Sequence, residues 1–267
     1  MGCLSSKTQG SSPKEVPGIP IRPMFARHPD DLADPINVNE LLDHIQLYKD
    51  QELLYDFKTV TPEILASNVA TSMKVDPGIY KGDLNNAVVY YFPIEHENYT
   101  DWVYVVMFAY NPPYKVLGII DVGGHEGDIE FAALRIRKSD NTLMGMYCSA
   151  HGDEGGWTAA KDLDYHENGR PIVYIAKNSH AMYPKPGSHY RIFWVANDYT
   201  DSIYWDPPLV QISSDNPVWM KYRGSWSRDG IDSIQTRPWF KELPTESATI
   251  WYRLLRIPIF TQNTDPQ

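Results

Sequence analysis

The sequence predicts a mainly β protein, a single-domain β-sandwich with a few short flanking helices. Of the 267 residues, 13% are aromatic, including 18 Tyr and 8 Trp, and 21 are proline. Tyr, Trp and β-branched residues favour half-buried pleated surfaces, whereas prolines favour loops and strand edges. From residue 87 onward, short apolar runs alternate with polar or proline-rich turns, which is typical of consecutive strands. No repeat or break in composition separates a second domain.

The region before these strands is expected to hold an extended segment and two short helices. Residues 19–26 carry prolines that favour the edge of a sheet. Asn37 or Asn39 can cap a helix whose apolar residues at 41, 42 and 45 share one face. Thr61 directly before Pro62 is the usual start of a second helix.

About eight segments have the composition of strands. They are residues 87–92, 102–110, 116–122, 129–137, 142–150, 172–176, 190–196 and 249–260. In residues 129–137, Ile129 and Phe131 point to one side of the predicted strand, while Leu134 and Ile136 point to the other. Both faces of this strand are therefore expected to be covered, as in a sandwich.

Charge and cysteine content exclude some classes of protein. The net charge of −10 and the pI near 5.2 argue against a nucleic-acid partner, because no basic face is available to neutralise phosphates. Cys3 and Cys148 are the two cysteines and lie far apart, so no disulfide framework is expected, which fits a reducing compartment.

The N-terminus has the pattern of a lipid-modified protein. Gly2 follows Met1 and Ser6 stands at the required position, which fits N-myristoylation, and Cys3 is suited to palmitoylation. One myristoyl chain binds membranes only marginally, so Cys3 is expected to supply the second signal. This predicts anchoring at the cytoplasmic side of the plasma membrane or a vacuolar or other endomembrane.

These observations also suggest boundaries along the chain. Residues 1–17 are expected to form a flexible acylated tail, residues 18–262 the sandwich domain and residues 263–267 a C-terminal tail. The first 17 residues lack the apolar core of a secretory signal, and no run reaches the roughly 20 apolar residues of a membrane span.

A glycine-rich segment, residues 123–130, has the residue types of a cation site. Asp128 and Glu130 are two positions apart, so their side chains share one face of a strand, and His125 lies in the preceding turn. Two carboxylates and an imidazole suit Mg²⁺, Mn²⁺, Ca²⁺ or Zn²⁺ without selecting one of them. His151 and His180, from two later polar clusters, would complete or border this site.

A structural role for the same residues is the alternative. Asp128 would then cap the turn, and Glu130 would pair with an arginine such as Arg135 or Arg170.

Catalysis is less well supported by the sequence than binding. Ser149 and His151 are two apart, but no nucleophile elbow surrounds them, and Cys148 lies in an apolar run typical of an inert buried thiol. A non-enzymatic protein is therefore expected. The alternative is a metal-dependent hydrolase or a membrane-active, cytolysin-like protein that uses the same loops.

Several motifs in order resemble the vacuolar protein sorting-associated protein 62 family. The matching segments are Gly123 to Glu130 with Ile129 in place of Trp, Ser149-x-His151, Arg170-Pro171-x-Val173-Tyr174, Ser179-His180-Ala181-x-Tyr183, Gly187-x-His189 and Trp205-Asp206-Pro207. The resemblance extends from about Phe25 to Trp239. It implies a role in vacuolar or endomembrane protein transport, and it places Arg170, Ser179 and Tyr183 beside the two histidines as residues that border the site or contact a ligand.

A second, local resemblance concerns the glycine-rich segment. It is similar to the Gly-His-Arg-His-Asp-Trp-Glu heptapeptide of the necrosis- and ethylene-inducing-peptide-like proteins, with Gly127 in place of the second histidine. In those β-sandwich toxins the motif lines a divalent-metal site that docks a glycosylated sphingolipid headgroup. The resemblance implies His125, Asp128 and Glu130 as ligands and a lipid headgroup or glycan as partner. A shared toxic role is not implied, because those toxins are secreted.

Overall fold

The computed structural model describes residues 18–116, 120–151, 155–190, 197–228 and 230–243, with backbone alone at 114–116 and 120–122. The acylation residues Gly2 and Cys3, both predicted tails, most of the predicted strand 190–196 and all of the predicted strand 249–260 lie outside these ranges.

The described residues form seventeen strands, and the architecture is mainly β, as predicted. In chain order the strands are β1 (Met24–Arg27), β2 (Ile45–Lys49), β3 (Glu52–Tyr55), β4 (Ser72–Val75), β5 (Val89–Glu95), β6 (Tyr99–Asn111), β7 (Tyr114–Val116), β8 (Ile120–Val122), β9 (His125–Arg137), β10 (Leu143–Cys148), β11 (Gly156–Ala159), β12 (Ile172–Ile175), β13 (Met182–Tyr183), β14 (Gly187–His189), β15 (Asp198–Thr200), β16 (Ile203–Trp205) and β17 (Leu209–Gln211).

A six-stranded sheet in the order β11-β10-β9-β6-β5-β17 forms the centre of the fold. A four-stranded sheet, β13-β12-β1-β16, packs on one of its faces, and Phe25, Val173 and Met182 meet Tyr104 and Leu134 in the shared core. This is the predicted sandwich.

The other face of the central sheet is covered as well. The small sheet β3-β2-β4, the short helices and a C-terminal segment pack there around Ile129 and Phe131, with Trp157, Trp219 and Trp226 among the largest buried side chains. Two-sided burial of β9 was expected from its sequence, because apolar residues occupy both of its faces.

Both predicted helix starts are present. Helix α1 (Val38–Leu41) is capped by the Asn37 side chain, and α2 (Pro62–Ser67) by the Thr61 hydroxyl, which accepts from the Ile64 amide at 3.2 Å. Short 3₁₀ helices span Leu42–His44, Pro77–Ile79, Ala160–Asp162, Val218–Lys221, Ile234–Thr236 and Pro238–Phe240. None of the described helices is long and apolar enough to cross a membrane.

Two expectations about strands were wrong. Residues 19–26 do not form an edge: β1 begins only at Met24, after the prolines, and lies between β12 and β16. Because the prolines precede the strand, they block no ladder hydrogen bond. Residues 116–122 are not one strand, since β7 and β8 pair with each other in antiparallel fashion.

The glycine-rich turn is shorter than the sequence suggested. β9 already begins at His125 and pairs with β6, so that Phe108 faces Asp128 and Tyr110 faces Glu126. Gly127 therefore lies within a strand rather than a turn. It has a φ of +61°, which glycine adopts without strain.

Candidate functional site

The first half of β9 leads into a partly buried cluster of charged side chains. We call Asp31, Asp128, Glu130 and His180 the Asp128 cluster. His180 Nδ1 lies 2.9 Å from Asp128 Oδ2, and His180 Nε2 lies 3.7 Å from Asp31 Oδ1. The imidazole is fully buried and stacks on Phe108 at a centroid distance of 3.7 Å. His180 therefore has one close partner, Asp128, and lies within ion-pair distance of a second carboxylate, Asp31.

The segment after β12 sets the position of His180. The His180 amide donates to the Ala176 carbonyl at 3.0 Å, and the residue has a φ of +54°, uncommon for a side chain other than glycine. Asp31 helps to hold this segment, because its Oδ1 accepts from the Asn178 amide at 3.1 Å and the Ala33 amide at 3.3 Å. Sequence reasoning identified His180 but not Asp31.

The charges of Asp128 and His180 support each other. Burial alone would raise the pKa of Asp128, but the hydrogen bond and positive charge of His180 lower it below its ordinary value, with help from His125 and Arg237. Burial opposes a charged His180, yet its two aspartates raise its pKa to about 9. The pair is an ion pair at neutral pH.

Glu130 has no ion pair with a cationic side chain among the described residues. Its Oε2 accepts from the Ser149 hydroxyl at 2.5 Å. Burial first, and the negative charge of Asp128 second, raise the pKa of Glu130 well above its ordinary value. Its charged form is therefore disfavoured unless a positive charge lies beside it.

The predicted alternative, an arginine partner for Glu130, was wrong for both candidates. Arg135 makes a bidentate pair with Asp101, at 2.8 and 2.9 Å. Arg170 binds Asp206 at 2.8 Å and backbone carbonyls of the segment before β1. Asp128 caps no turn, since its Oδ1 accepts from the next amide in the same strand at 2.9 Å.

His125 faces the backbone through one nitrogen. Its Nδ1 lies 3.1 Å from the Gly127 carbonyl oxygen and 3.4 Å from that of Glu126. Carbonyl oxygens only accept, so Nδ1 carries the hydrogen, and in the neutral ring Nε2 has the free lone pair. Metal-binding histidines commonly have this arrangement, with the second nitrogen donating to a carbonyl.

A second cluster gathers around a buried aspartate in β15. We call Asp198, His151, Ser179 and Tyr183 the Asp198 cluster. Asp198 accepts from His151 Nε2 at 2.5 Å, Ser179 Oγ at 2.7 Å and Tyr183 Oη at 2.6 Å. Burial would raise the pKa of Asp198, but these donors, His151 foremost, lower it. His151 thus binds Asp198, while its expected companion His180 binds Asp128.

The two clusters are linked through consecutive residues. Ser179 belongs to the Asp198 cluster and His180 to the Asp128 cluster. Arg170 joins neither, because it ties the segment before β12 to Asp206. Sequence reasoning missed Asp198 and also Arg237, whose Nη1 donates to the Ile129 carbonyl at 3.3 Å beside the carboxylates.

The residues present fit a weakly held hard cation better than a closed metal site. Among the described residues, no group of three or more His, Cys, Asp or Glu side chains is gathered as a ready-made ligand set. Asp128 and Glu130 are nevertheless two positions apart in β9, so their carboxyl groups share one face of the strand. Mg²⁺ in particular is often held by one or two carboxylates and several waters.

Fold and site together define a β-sandwich with a buried His, Asp and Glu cluster at the start of a central strand. Residues 68–198 match the model of the family described as vacuolar protein sorting-associated protein 62. This confirms the family resemblance for the region that holds Asp128, Glu130, His151, His180 and Asp198. No curated protein matches the chain.

Solved structures with a similar arrangement share little sequence with this chain. Necrosis and Ethylene inducing Protein 2, from the causal agent of cocoa's Witches Broom disease, is 14% identical with a TM-score of 0.41, over 76% of each chain. A structure described as a toxin fold for microbial attack and plant defense is 13% identical with a TM-score of 0.43, over 75% of this chain and 77% of that one. At such scores the likeness supports no conclusion about function.

Proposed function

We propose that the protein is a non-enzymatic, membrane-associated binding protein of the vacuolar protein sorting 62 type, and that its Asp128 cluster takes up a divalent cation which engages a lipid headgroup or glycan. The observation that carries the proposal is the pairing of Asp128 with Glu130. Two carboxyl groups share one face of β9, and burial first and the charge of Asp128 second raise the pKa of Glu130.

A bound cation would relieve this repulsion. A divalent ion between the two carboxylates would offset the burial and the negative charge that raise the pKa of Glu130, and His125 Nε2 would supply a nitrogen ligand. His180 already balances part of the negative charge of Asp31 and Asp128. We therefore expect weak binding, with an apparent Kd of about 0.1–1 mM, and water or ligand oxygens in the remaining positions.

Thermal unfolding in the presence and absence of cations tests the site. We expect Mg²⁺, Ca²⁺, Mn²⁺ or Zn²⁺ to raise the Tm of the wild-type chain, because a ligand that binds only the folded state stabilises it. Asp128→Asn and Glu130→Gln should abolish the shift, whereas Asp162→Asn, at an exposed position, should retain it. A wild-type Tm that stays constant at about 10 mM of every cation, well above the expected Kd, would contradict the proposal.

Membrane anchoring rests on the N-terminal sequence. The pattern around Gly2 and Cys3 supports double acylation and attachment to the cytoplasmic face of the plasma membrane or an endomembrane. We expect Gly2→Ala to release the protein from the membrane fraction of cells and Cys3→Ser to weaken its retention. Unchanged recovery of both variants with membranes would disprove the anchoring.

A further inference from the structure

A cavity lies beside β9, and His125 is the residue that it shares with the proposed cation site. Its volume is about 590 Å³, within the range of small-molecule sites. The wall consists of polar, charged and aromatic side chains from the turn between β2 and β3, β4, the residue after the 3₁₀ helix Pro77–Ile79, β6, β9 and the segment after Trp226. They are Gln51, Ser72, Lys74, Tyr80, Tyr110, His125, Glu126 and Arg228, with Gly124.

We infer that this cavity binds a phosphorylated polyol, such as the headgroup of a phosphoinositide or a free sugar phosphate. The inference goes beyond the cation site and does not depend on it.

Two cationic side chains in the cavity wall, Lys74 and Arg228, can bind a phosphate group. Neither Lys74 nor Arg228 forms an ion pair with a carboxylate of the described residues; Arg228 donates instead to the Gln51 amide oxygen and lies over the Tyr48 ring at 4.8 Å. Both side chains line the same cavity, so their positive charges face one space. Arg and Lys together provide the donors that phosphate groups require.

The single carboxylate in the wall is already occupied. Glu126 accepts from the Val75 amide through Oε2 at 2.9 Å and from the Tyr80 hydroxyl through Oε1 at 2.7 Å. Both oxygens are thus used inside the protein, and neither pairs with Lys74 or Arg228. The role of Glu126 is to orient Tyr80, while the two cations remain for a ligand.

A stacked pair of tyrosines provides an aromatic surface for the ring of the polyol. The rings of Tyr80 and Tyr110 are 4.1 Å apart and parallel to within 4°. Aromatic faces carry partial negative charge and attract the C–H groups of a polyol ring. Gln51 and Ser72 add an amide and a hydroxyl that can bond to ring hydroxyls. Side chains that bind anions, aromatic rings and groups that bind hydroxyls thus line one cavity.

Calorimetric titration of the full chain with inositol monophosphate, in a chelating buffer, tests the inference. We expect binding that weakens with ionic strength, and at least about tenfold weaker binding of inorganic phosphate and of free inositol. Lys74→Gln and Arg228→Gln should each reduce affinity about tenfold, because each removes a charged donor to phosphate. Lys161→Gln removes an exposed lysine outside the cavity and should leave affinity unchanged.

Vesicle binding distinguishes the two sources of the ligand. Sedimentation with phosphatidylcholine vesicles that contain phosphatidylinositol monophosphate, lost in the Lys74→Gln/Arg228→Gln variant, would identify a lipid headgroup. Binding of soluble inositol monophosphate without vesicle binding would identify a free polyol phosphate. Absence of binding to both probes, or equal affinity of the double variant and the wild type, would overturn the inference. Because the cation is chelated throughout, the outcome is independent of the Asp128 cluster.

Discussion

At the scale of single residues, Gly127 controls how β9 enters the site. Its φ of +61° is costly for other residues, and a Cβ atom there would meet the Trp226 carbonyl oxygen at 2.3 Å. We expect Gly127→Ala to lower the free energy of unfolding by about 3 kcal/mol or more, since backbone strain and a steric clash add. Denaturant unfolding measures the change.

Gly169 provides the matched control for this substitution. Its φ of +79° is equally left-handed, but a Cβ atom would meet nothing within 4 Å. Gly169→Ala should therefore show the backbone strain alone, about 1–2 kcal/mol. Equal losses in the free energy of unfolding would mean that the segment of Trp226 moves aside. The close packing of this segment on β9 would then contribute nothing to stability.

A buried histidine outside the acidic cluster should make stability depend on pH. His189 stacks on Tyr183 at 3.6 Å, and burial lowers its pKa from 6.5 to about 4. The unfolded chain then binds a proton that the folded chain rejects between these values. The free energy of unfolding is therefore unaffected by the titration of His189 above pH 6.5. It falls by up to about 3 kcal/mol as the pH is lowered towards 4.

His189→Phe tests this pH dependence, because the ring stack is kept and the titrating group is removed. The variant should lose less stability than the wild type when the pH is lowered from 7 to 4.5, measured by denaturant unfolding at each pH. Parallel curves for the two proteins would show that another group is responsible.

Which site residues the sequence can reveal depends on their distance along the chain. Asp128 and Glu130 are two positions apart, so their common face follows from strand geometry. Asp31 and Asp198 lie in other elements, and only the folded chain brings them to His180 and His151. Local sequence does not distinguish a buried aspartate with several donors from the many exposed ones.

At the scale of elements, a buried ion pair fixes the pairing of β6 with β9. Asp101 and Arg135 are direct partners in the two strands, and the guanidinium lies 4.0 Å from the Tyr99 ring centre and 4.1 Å from that of Trp157. Both side chains are almost completely buried. The contact therefore joins the two longest strands to β11, where Trp157 lies.

Removing one member of this pair should be costly. Arg135→Met removes the guanidinium that pairs with the buried Asp101 carboxylate, so we expect a loss of about 3–5 kcal/mol in the free energy of unfolding. Asp101→Leu combined with Arg135→Met should lose less than the single Arg135→Met variant, because no buried charge remains. A double variant less stable than Arg135→Met would contradict this account.

Elements were predictable where one local signal dominated. The caps at Asn37 and Thr61 and the apolar run of β9 gave correct helix starts and a correct strand. The position of β1 was not predictable in this way, because its place between β12 and β16 depends on segments far along the chain. Prolines mark where a strand cannot continue, but they do not reveal what pairs with the strand after them.

At the scale of the whole molecule, the central sheet is enclosed by two separate layers. The apolar residues on both sides of β9 predicted that both faces would be covered, although they could not identify which elements cover them. The four-stranded sheet closes one face, and the helical segments with the small sheet close the other. A side chain in the first of these cores can reach solvent only when layers separate.

Cys148 in β10 reports on this separation. The side chain is fully buried between the six-stranded and four-stranded sheets, and burial raises the pKa of its thiol. In a Cys3→Ser chain, we expect Cys148 to react with a thiol reagent at a rate set by opening of the sandwich, so that the rate follows the free energy of global unfolding when Arg135→Met weakens the sheet. Mass spectrometry of labelled protein over time measures the rate. A fast labelling rate that changes neither with denaturant nor with Arg135→Met would show that β10 opens locally. The two layers over the central sheet would then not unfold as one unit.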